Sequence, residues 1–286
     1  MRFIISLIFI PLCVFGAYAV HGGHLGVLWQ PSEVVIIVGA AFGSMFIANP
    51  ANTLKGAAAG LKTQLKGTPF KKADYLELLC LMFHTFKVAR TKGMLELEGH
   101  IENPHESGIF KKYPTFQKNH HAEVFFCDYL RMLTMGVENH YQVEDLMNAE
   151  LELHHKAGHD ASSAIINMGD GMPALGIVAA VLGVIHTMGS ITEPPEVLGH
   201  LIGAALVGTF LGVLLSYGFI GPIGQFIGKF YDEEGAYFNV MKAGILSHMQ
   251  GTAPQVTVEF ARKYIPHHAC PTFQEVEAAT QAIQFD

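Results

Sequence analysis

The sequence predicts an all-α integral membrane protein with four transmembrane helices in two hairpins, a large helical cytoplasmic insert and a helical cytoplasmic tail. Half of the 286 residues are hydrophobic, only 15% are charged, and the mean hydropathy is +0.30. Soluble domains carry about 25% charged residues, so this composition favours a membrane protein. The net charge of -7 excludes a generally basic nucleic-acid-binding protein, because phosphate contacts need clustered Lys and Arg.

Four apolar segments are long enough to cross a bilayer, for which about 20 helical residues are needed. They lie at about 3–20, 34–51, 172–191 and 198–220. The predicted organisation is a first transmembrane hairpin (1–51), a cytoplasmic helical insert (52–170), a second transmembrane hairpin (171–221) and a cytoplasmic tail (222–286). The first segment also imitates a secretory signal peptide, but its apolar run is long for a signal core, so we expect it to stay in the protein.

The positive charges predict the orientation of these segments. All 18 Lys and Arg residues lie outside the two short hairpins at 21–33 and 192–197. Short loops rich in Lys and Arg stay on the cytoplasmic side, so both termini are expected there. The hairpins, which carry Glu33, Glu193 and Glu196, would then face the periplasm.

The insert at 52–170 has charged and apolar residues at helical spacing. Leu79, Phe83, Phe86, Leu97 and Ile101 share one face at 100° per residue, which predicts a helix packed on its neighbours with an interruption near Gly93. Further helix is expected at about 119–155, after a loop bounded by two prolines, Pro104 and Pro114. The tail after Gly221 is expected to be helical and to become irregular near Pro266.

The four predicted spans contain no charged residue, and His186 is the only ionisable group of the third span. A proton pathway built from this chain alone would lack a mid-membrane carboxylate, so a partner would have to supply one. The third and fourth spans are rich in glycine and alanine, which permits close helix packing. Pro173 and Pro222 lie near their cytoplasmic ends, where each is expected to mark a helix boundary or to form one of a pair of hinges.

Two stretches carry a family resemblance: GMPALGIVAAVLGVIH at 171–186 and VGTFLGVLLSYGFIGP at 207–222. They resemble the third and fourth spans of MotA, the flagellar motor stator subunit of the proton-driven type, within the MotA, TolQ and ExbB superfamily. The resemblance implies several copies, five in the family, around a dimeric single-span partner, MotB, whose membrane aspartate carries the proton. It also implies a multi-pass location in the bacterial inner membrane and a non-enzymatic role in flagellar rotation.

Individual residues match the family's functional positions. Pro173 and Pro222 match two prolines that couple proton passage to motion, and Thr209 matches a pore-facing hydroxyl. Ala180 stands where sodium-driven relatives carry threonine. Its methyl group offers no oxygen to a metal cation, so protons are the expected driving ion, without a cofactor.

The segment RTKGMLELEG at 90–99 matches the family's rotor-facing charges. By the resemblance, Arg90 and Glu98 meet opposite charges on the rotor's switch-ring protein. The alternative for Arg90 is a structural one, because on a continuous helix it would share a face with Leu79, Phe83 and Leu97 as a snorkelling or locally paired cation.

Three other functions remain to be compared with the stator hypothesis. ExbB and TolQ proteins energise outer-membrane processes around a partner aspartate, but they usually have three spans. A small secondary transporter would be expected to show polar or broken midspan segments. A metal site at His154, His155 and His159 would need a second ligand cluster, and the four cysteines are too widely scattered to form a zinc site or a disulfide framework.

Overall fold

The structure, a computed structural model, describes residues 2–64 and 70–285, and every regular element within those ranges is helical. This confirms the all-α prediction, including that for the insert, of which residues 65–69 lie outside the described part. The chain forms two compact units. We call Met1–Gly67 with Lys156–Tyr231 the membrane unit, and Thr68–His155 with Asp232–Asp286 the aromatic unit, after its core.

The membrane unit contains the most apolar helices. Its elements are α1 (Arg2–Val20), α2 (Pro31–Val34), a π-helical turn (Val35–Gly39), α3 (Ala40–Ala48), α4 (Ala51–Gln64), most of α9 (His140–Met188), α10 (Pro195–Leu215), a second π-helical turn (Ser216–Ile220) and the start of α11 (Gly221–Met249). Within the described residues, three helical stretches are long and apolar enough to cross a membrane: Leu25–Ala48, α9 and Pro195–Met249. The apolar part of α1, Ile4–Val20, is shorter. The protein is therefore a multi-pass membrane protein.

The start of the second apolar helix differs from the prediction. We expected the span to begin at about Val34 and to leave Glu33 in a periplasmic loop, but helix begins at Pro31 and Glu33 lies in its first turn. Proline is favoured at the first helical position, and a carboxylate in the first turn suits the positive end of the helix dipole. The prediction that the apolar helices contain no acidic residue is therefore wrong.

The two prolines do not end their helices. Pro173 lies inside α9, which runs unbroken for 49 residues, and Pro222 is the second residue of α11, directly after a π-helical turn. A proline inside a helix removes one backbone hydrogen bond. The close contact of α10 with α9 beside Met172 helps to keep α9 helical at Pro173, and the wider π turn precedes Pro222. The boundary interpretation is therefore wrong for Pro173, whereas Pro222 lies at the junction of the π turn and α11.

The aromatic unit is built from shorter helices. They are α5 (Lys72–Lys92), α6 (Glu98–Glu102), α7 (Pro114–Gln117), α8 (His120–Thr134), the first part of α9, the last part of α11, α12 (Pro254–Arg262) and α13 (Phe273–Gln281). α5 supplies the centre of the core, and the burial predicted for Leu79, Phe83 and Phe86 is confirmed. Leu97 and Ile101 are buried as well, but they lie beyond the end of α5. α5 ends at Gly93, whose φ of 96° is accessible to glycine but strained for other residues. The predicted interruption is thus confirmed.

Two further predictions for this unit had different outcomes. The further helix expected at 119–155 is present but divided, because α8 and α9 are separated by a turn at Gly136, which has a φ of 87°. Asn119 caps α8 by accepting a hydrogen bond from the backbone of Ala122. The tail is helical after Gly221 and irregular around Pro266, as expected, and α13 follows. The predicted division into hairpins, insert and tail concerns position relative to the membrane, and it stays a prediction.

Candidate ion pathway and coupling site

Glycines bring the backbones of α9 and α10 into contact. A Cβ atom on Gly176 would lie 2.6 Å from the carbonyl oxygen of Gly208, and one on Gly212 would lie 2.7 Å from that of Met172. Both distances are too short for a real side chain. The two helices can approach this closely only because these positions are glycine, which confirms the predicted close packing. We call this contact the small-residue wall.

Ala180 and Thr209, the two predicted pore residues, lie at this wall. The backbone nitrogen of Ala180 is 3.1 Å from the position that a Cβ of Gly208 would occupy. Thr209 follows Gly208 directly in α10, and both Ala180 and Thr209 are partly exposed. The methyl group of Ala180 on α9 and the hydroxyl group of Thr209 on α10 therefore lie near the same part of the small-residue wall.

The two prolines lie on neighbouring helices of the membrane unit. A Cβ on Gly169 would lie 3.3 Å from the backbone nitrogen of Gly221, the residue before Pro222. Gly169 precedes Pro173 by four residues, which is about one helical turn. Pro173 is partly exposed and Pro222 is exposed. Pro173 and Pro222 therefore lie near the same contact between α9 and α11.

Glu33 is a buried residue, although its position in the sequence predicts a loop. Its side chain is 7% exposed, and its Oε2 atom has no hydrogen-bond partner among the described residues. A Cβ on Gly208 would collide with Oε2, and a Cβ on Gly183 would lie 3.6 Å from Oε1. The carboxyl group therefore occupies space left by two glycines, one on α9 and one on α10.

The carboxyl group contacts α10 well inside that helix and α9 near its end, since Gly183 lies five residues before Met188. Gly208 lies thirteen residues after Pro195, the first residue of α10, so about 20 Å of helix separates the two. An acidic group is therefore present inside the bundle, contrary to the sequence-based expectation. The signal in the sequence was a proline followed two residues later by glutamate at the start of an apolar run, a pattern typical of a helix N-terminus.

The predicted rotor-facing charges are both on the surface of the aromatic unit. Arg90 lies in the last turn of α5 and Glu98 is the first residue of α6, and both are exposed. Neither side chain forms an ion pair or hydrogen bond with another described residue, so the locally paired alternative for Arg90 finds no partner. Gly93 and a 3₁₀ turn at Met94–Leu97 separate the two charges.

An ion pair stabilises the position of α6. The Nε atom of Arg131, on α8, lies 2.6 Å from Oε1 of Glu102, at the end of α6. A second contact with Asp128 orients the same guanidinium group. The hydrogen bond that Arg131 donates to Glu102 raises the pKa of Arg131 above its ordinary value. Glu98 therefore lies at the start of a short helix, α6, whose last residue, Glu102, is bound to α8 of the aromatic unit.

The histidines at 154–159 do not form a common site. His154 Nε2 lies 3.2 Å from Glu234, His155 Nε2 lies 3.2 Å from Asp232, and His159 contacts Ser163. Within residues 2–64 and 70–285, no group of three or more His, Cys, Asp or Glu side chains is arranged to hold a metal ion. These histidines instead bind separate partners on neighbouring turns.

Comparison with known proteins identifies the family. A model of the motility protein A N-terminal region matches residues 4–93, and that of the MotA/TolQ/ExbB proton channel family matches residues 117–239. The chain is 40% identical to motility protein A of Escherichia coli, over 95% of its own length and 92% of that protein. The chain belongs to the motility protein A family. Chemotaxis protein LafT of Vibrio parahaemolyticus is 32% identical over 97% of each chain.

Solved structures of motility protein A complexes share the fold. The "Structure of C. jejuni MotAB" matches with a TM-score of 0.78 and 18% identity, covering 93% of this chain and 96% of that one. The "Structure of the flagellar MotAB stator complex from Bacillus subtilis" matches with a TM-score of 0.74 and 24% identity, over 92% and 95%. Both likenesses extend over nearly the whole chain, so neither unit is an addition to the fold.

Membership of the motility protein A family decides between the functions compared above. The chain is a stator subunit of the flagellar motor and a member of a proton channel family, not an enzyme. The secondary transporter hypothesis is excluded with it. The ExbB and TolQ proteins share one family model with this chain, but the 40% identity is with a motility protein over nearly the full length.

Proposed function

We propose that this stator subunit forms a ring, five copies in the family, around a dimer of a single-span MotB-type partner in the bacterial inner membrane. The assemblies named for the C. jejuni and Bacillus subtilis relatives support a MotB partner. The distribution of Lys and Arg supports cytoplasmic termini, and α1 would cross as a fourth span. Ala180 and Thr209, which are small and partly exposed beside the small-residue wall, are the observation that carries the proposal, because small exposed side chains allow a partner helix to approach closely.

The driving ion is the proton in this proposal. Protonation of the partner's membrane aspartate removes its charge and changes its contacts with the wall beside Ala180 and Thr209, and the ring moves one step around the partner. The absence of a side-chain oxygen at Ala180 supports protons over sodium. One charge crossing 100 mV releases about 2.3 kcal/mol, so many protons must pass in each revolution of the motor.

Pro173 and Pro222 are the coupling residues of this mechanism. α9 and α11 are continuous helices that run from the membrane unit into the chain of the aromatic unit. Each proline lacks one backbone hydrogen bond, which makes bending at that turn less costly. A small change at the wall can therefore alter the direction of a long helix.

Arg90 and Glu98 are the rotor-facing charges. Their exposure and their lack of partners among the described residues leave both free to meet opposite charges on the switch-ring protein. Contacts of this kind are screened by salt and add little binding energy individually, which suits a surface that must bind and release repeatedly.

Motility of a deletion strain tests the proposed function. Removal of this gene should stop swimming while flagellar filaments still assemble, and the intact gene supplied together with that of its partner should restore it. Normal swimming of the deletion strain, in the absence of a second stator system, would contradict the proposal.

Charge reversal tests the rotor surface separately. Glu98→Lys should lower torque while proton leak through the assembled complex stays unchanged, because Glu98 lies on the aromatic unit. Glu96→Lys is the matched control, since Glu96 is exposed on the same segment. Loss of both torque and proton leak in Glu98→Lys would indicate a role in folding instead.

A further inference from the structure

Glu33 is costly for the fold to maintain. Its side chain is 93% shielded from solvent, and Oε2 has no hydrogen-bond partner in the described part of the chain. It also forms no ion pair with any described residue, so a structural salt bridge does not account for it. Burying a polar group without a partner costs a few kcal/mol, and ionisable residues inside a membrane are rare unless they have a function.

The space around this carboxyl group is formed by glycine on two helices. Gly208 admits Oε2 where any side chain would collide with it, and Gly183 lies beside Oε1. The wall is closed next to it, since a Cβ on Gly183 would come within 2.7 Å of the Cβ of Ala205. The glutamate therefore fits a gap in the bundle that only small residues leave open.

The backbone after Glu33 is also unusual. α2 passes directly into a π-helical turn at Val35–Gly39, and Ile37 within that turn is fully buried. A π turn inserts an extra residue into a helix, and such turns occur frequently at functional sites because they reorient side chains. The helix start that carries Glu33 thus meets α10 without the regular geometry of the rest of the span.

We propose that Glu33 is a proton-binding group of this subunit, buried against α9 and α10 and separate from the partner aspartate. The proposal rests on the proposed function and adds a second protonation site to it. The carboxylate takes up a proton from water, becomes a neutral acid, and later releases the same proton to water. A metal ion does not fit, because hard cations need about six oxygen ligands and this gap offers one carboxyl group and apolar residues.

Vibrational spectroscopy of the assembled complex tests this site directly. The complex with its partner would be prepared with glutamate labelled with ¹³C at the side-chain carboxyl group, so that its signals are separated from those of the partner's aspartate. A pH step should reveal the C=O stretch of a buried protonated glutamate, and Glu33→Gln should remove it. Glu196→Gln, which changes an exposed glutamate at the start of α10, should leave it in place.

Two outcomes would overturn the proposal. One is a wild-type complex without any signal from a buried protonated glutamate. This measurement needs no variant, so it does not depend on whether a variant folds. The other is a Glu33→Gln complex that keeps both the signal and wild-type proton flux. If the wild-type gene restores swimming in either case, the stator function stands and only the role of Glu33 fails. If it does not restore swimming, the proposed function fails first.

Discussion

In the membrane unit, α9 and α10 meet glycine to glycine, whereas in the aromatic unit α5, α7 and α8 meet through phenylalanine rings. Phe126 shows the second kind of packing, with ring centroids 5.9 Å from Phe116 and 6.3 Å from Phe86. Lipid gives no hydrophobic gain from contact between apolar helices, so close approach of backbones must supply the attraction. Water rewards the burial of large rings. The chain therefore uses backbone contact at glycines in its membrane unit and contact between aromatic rings in its aromatic unit.

The largest expected effect is on the ring core. Phe126→Ala should lower the free energy of unfolding of the aromatic unit by about 3–5 kcal/mol, because it removes a fully buried ring and leaves a cavity. Val124→Ala, on the exposed side of the same helix, is the control and should change it by less than about 1 kcal/mol. Chemical denaturation of the full-length chain in detergent measures both. Equal losses of unfolding free energy in the two variants would show that burial of the ring does not dominate the stability of the aromatic unit.

A smaller change should damage the glycine contact. Gly212→Ala places a Cβ 2.7 Å from the carbonyl oxygen of Met172, so the backbones of α9 and α10 must separate. We expect a loss of about 1–3 kcal/mol, as for overpacking of a core, together with poor swimming.

The control for Gly212→Ala is Gly199→Ala, since a Cβ at Gly199 meets nothing within 4 Å. The thermal midpoint of the purified complex and the swimming speed should stay at wild-type values in that control. A stable, motile Gly212→Ala strain would show that close contact of the two helices is not needed.

The N-terminus of α13 gives a third, smaller effect. Thr272 and Glu275 form a capping box, so Thr272→Ala should cost about 1 kcal/mol, against no measurable change for the neighbouring exposed Gln274→Ala.

The hydrogen bond from Lys72 lowers the pKa of Glu275 to about 2. Its contribution is therefore present at neutral pH and is lost as the pH falls from about 4.5 towards 2. Denaturation at pH 7 and pH 3 would test this difference.

Thiol labelling provides the mildest test of the ring core. Burial raises the pKa of Cys80 to about 11 and that of Cys127 to about 12. Because the thiolate is the reactive form, variants that keep only one of these cysteines should resist maleimide at pH 8 and react after unfolding. Rapid labelling of the folded protein would mean that water reaches the core and that this unit is not closely packed.

The sequence predicts features that depend on local pattern, and it misses those that depend on contacts. The glycine spacing of α9 and α10, the buried face of α5 and the interruption at Gly93 follow from periodicity and backbone freedom. The boundary at Pro173 was predicted wrongly because packing overrides the local cost of one hydrogen bond. Proline is common at helix ends, and nothing local distinguishes Pro173 from Pro222.

Glu33 illustrates the same limit at the candidate site. A carboxylate near the end of an apolar segment is normally in water. The hydropathy of the sequence therefore predicts that Glu33 lies in the loop before the second span. Its burial depends on Gly183 and Gly208, which lie 150 and 175 residues further along the chain. The absence of side chains at those two positions is visible only when the helices are brought together.

Proton flux into cells after an outside-acid pH step is the most direct test of the proton path. In that path this chain forms one side and a partner's aspartate the other. The chain expressed together with its partner should accelerate acidification of the cytoplasm, whereas the chain alone, or with a partner whose membrane aspartate is changed to asparagine, should not. Equally fast acidification by the chain alone would contradict the account.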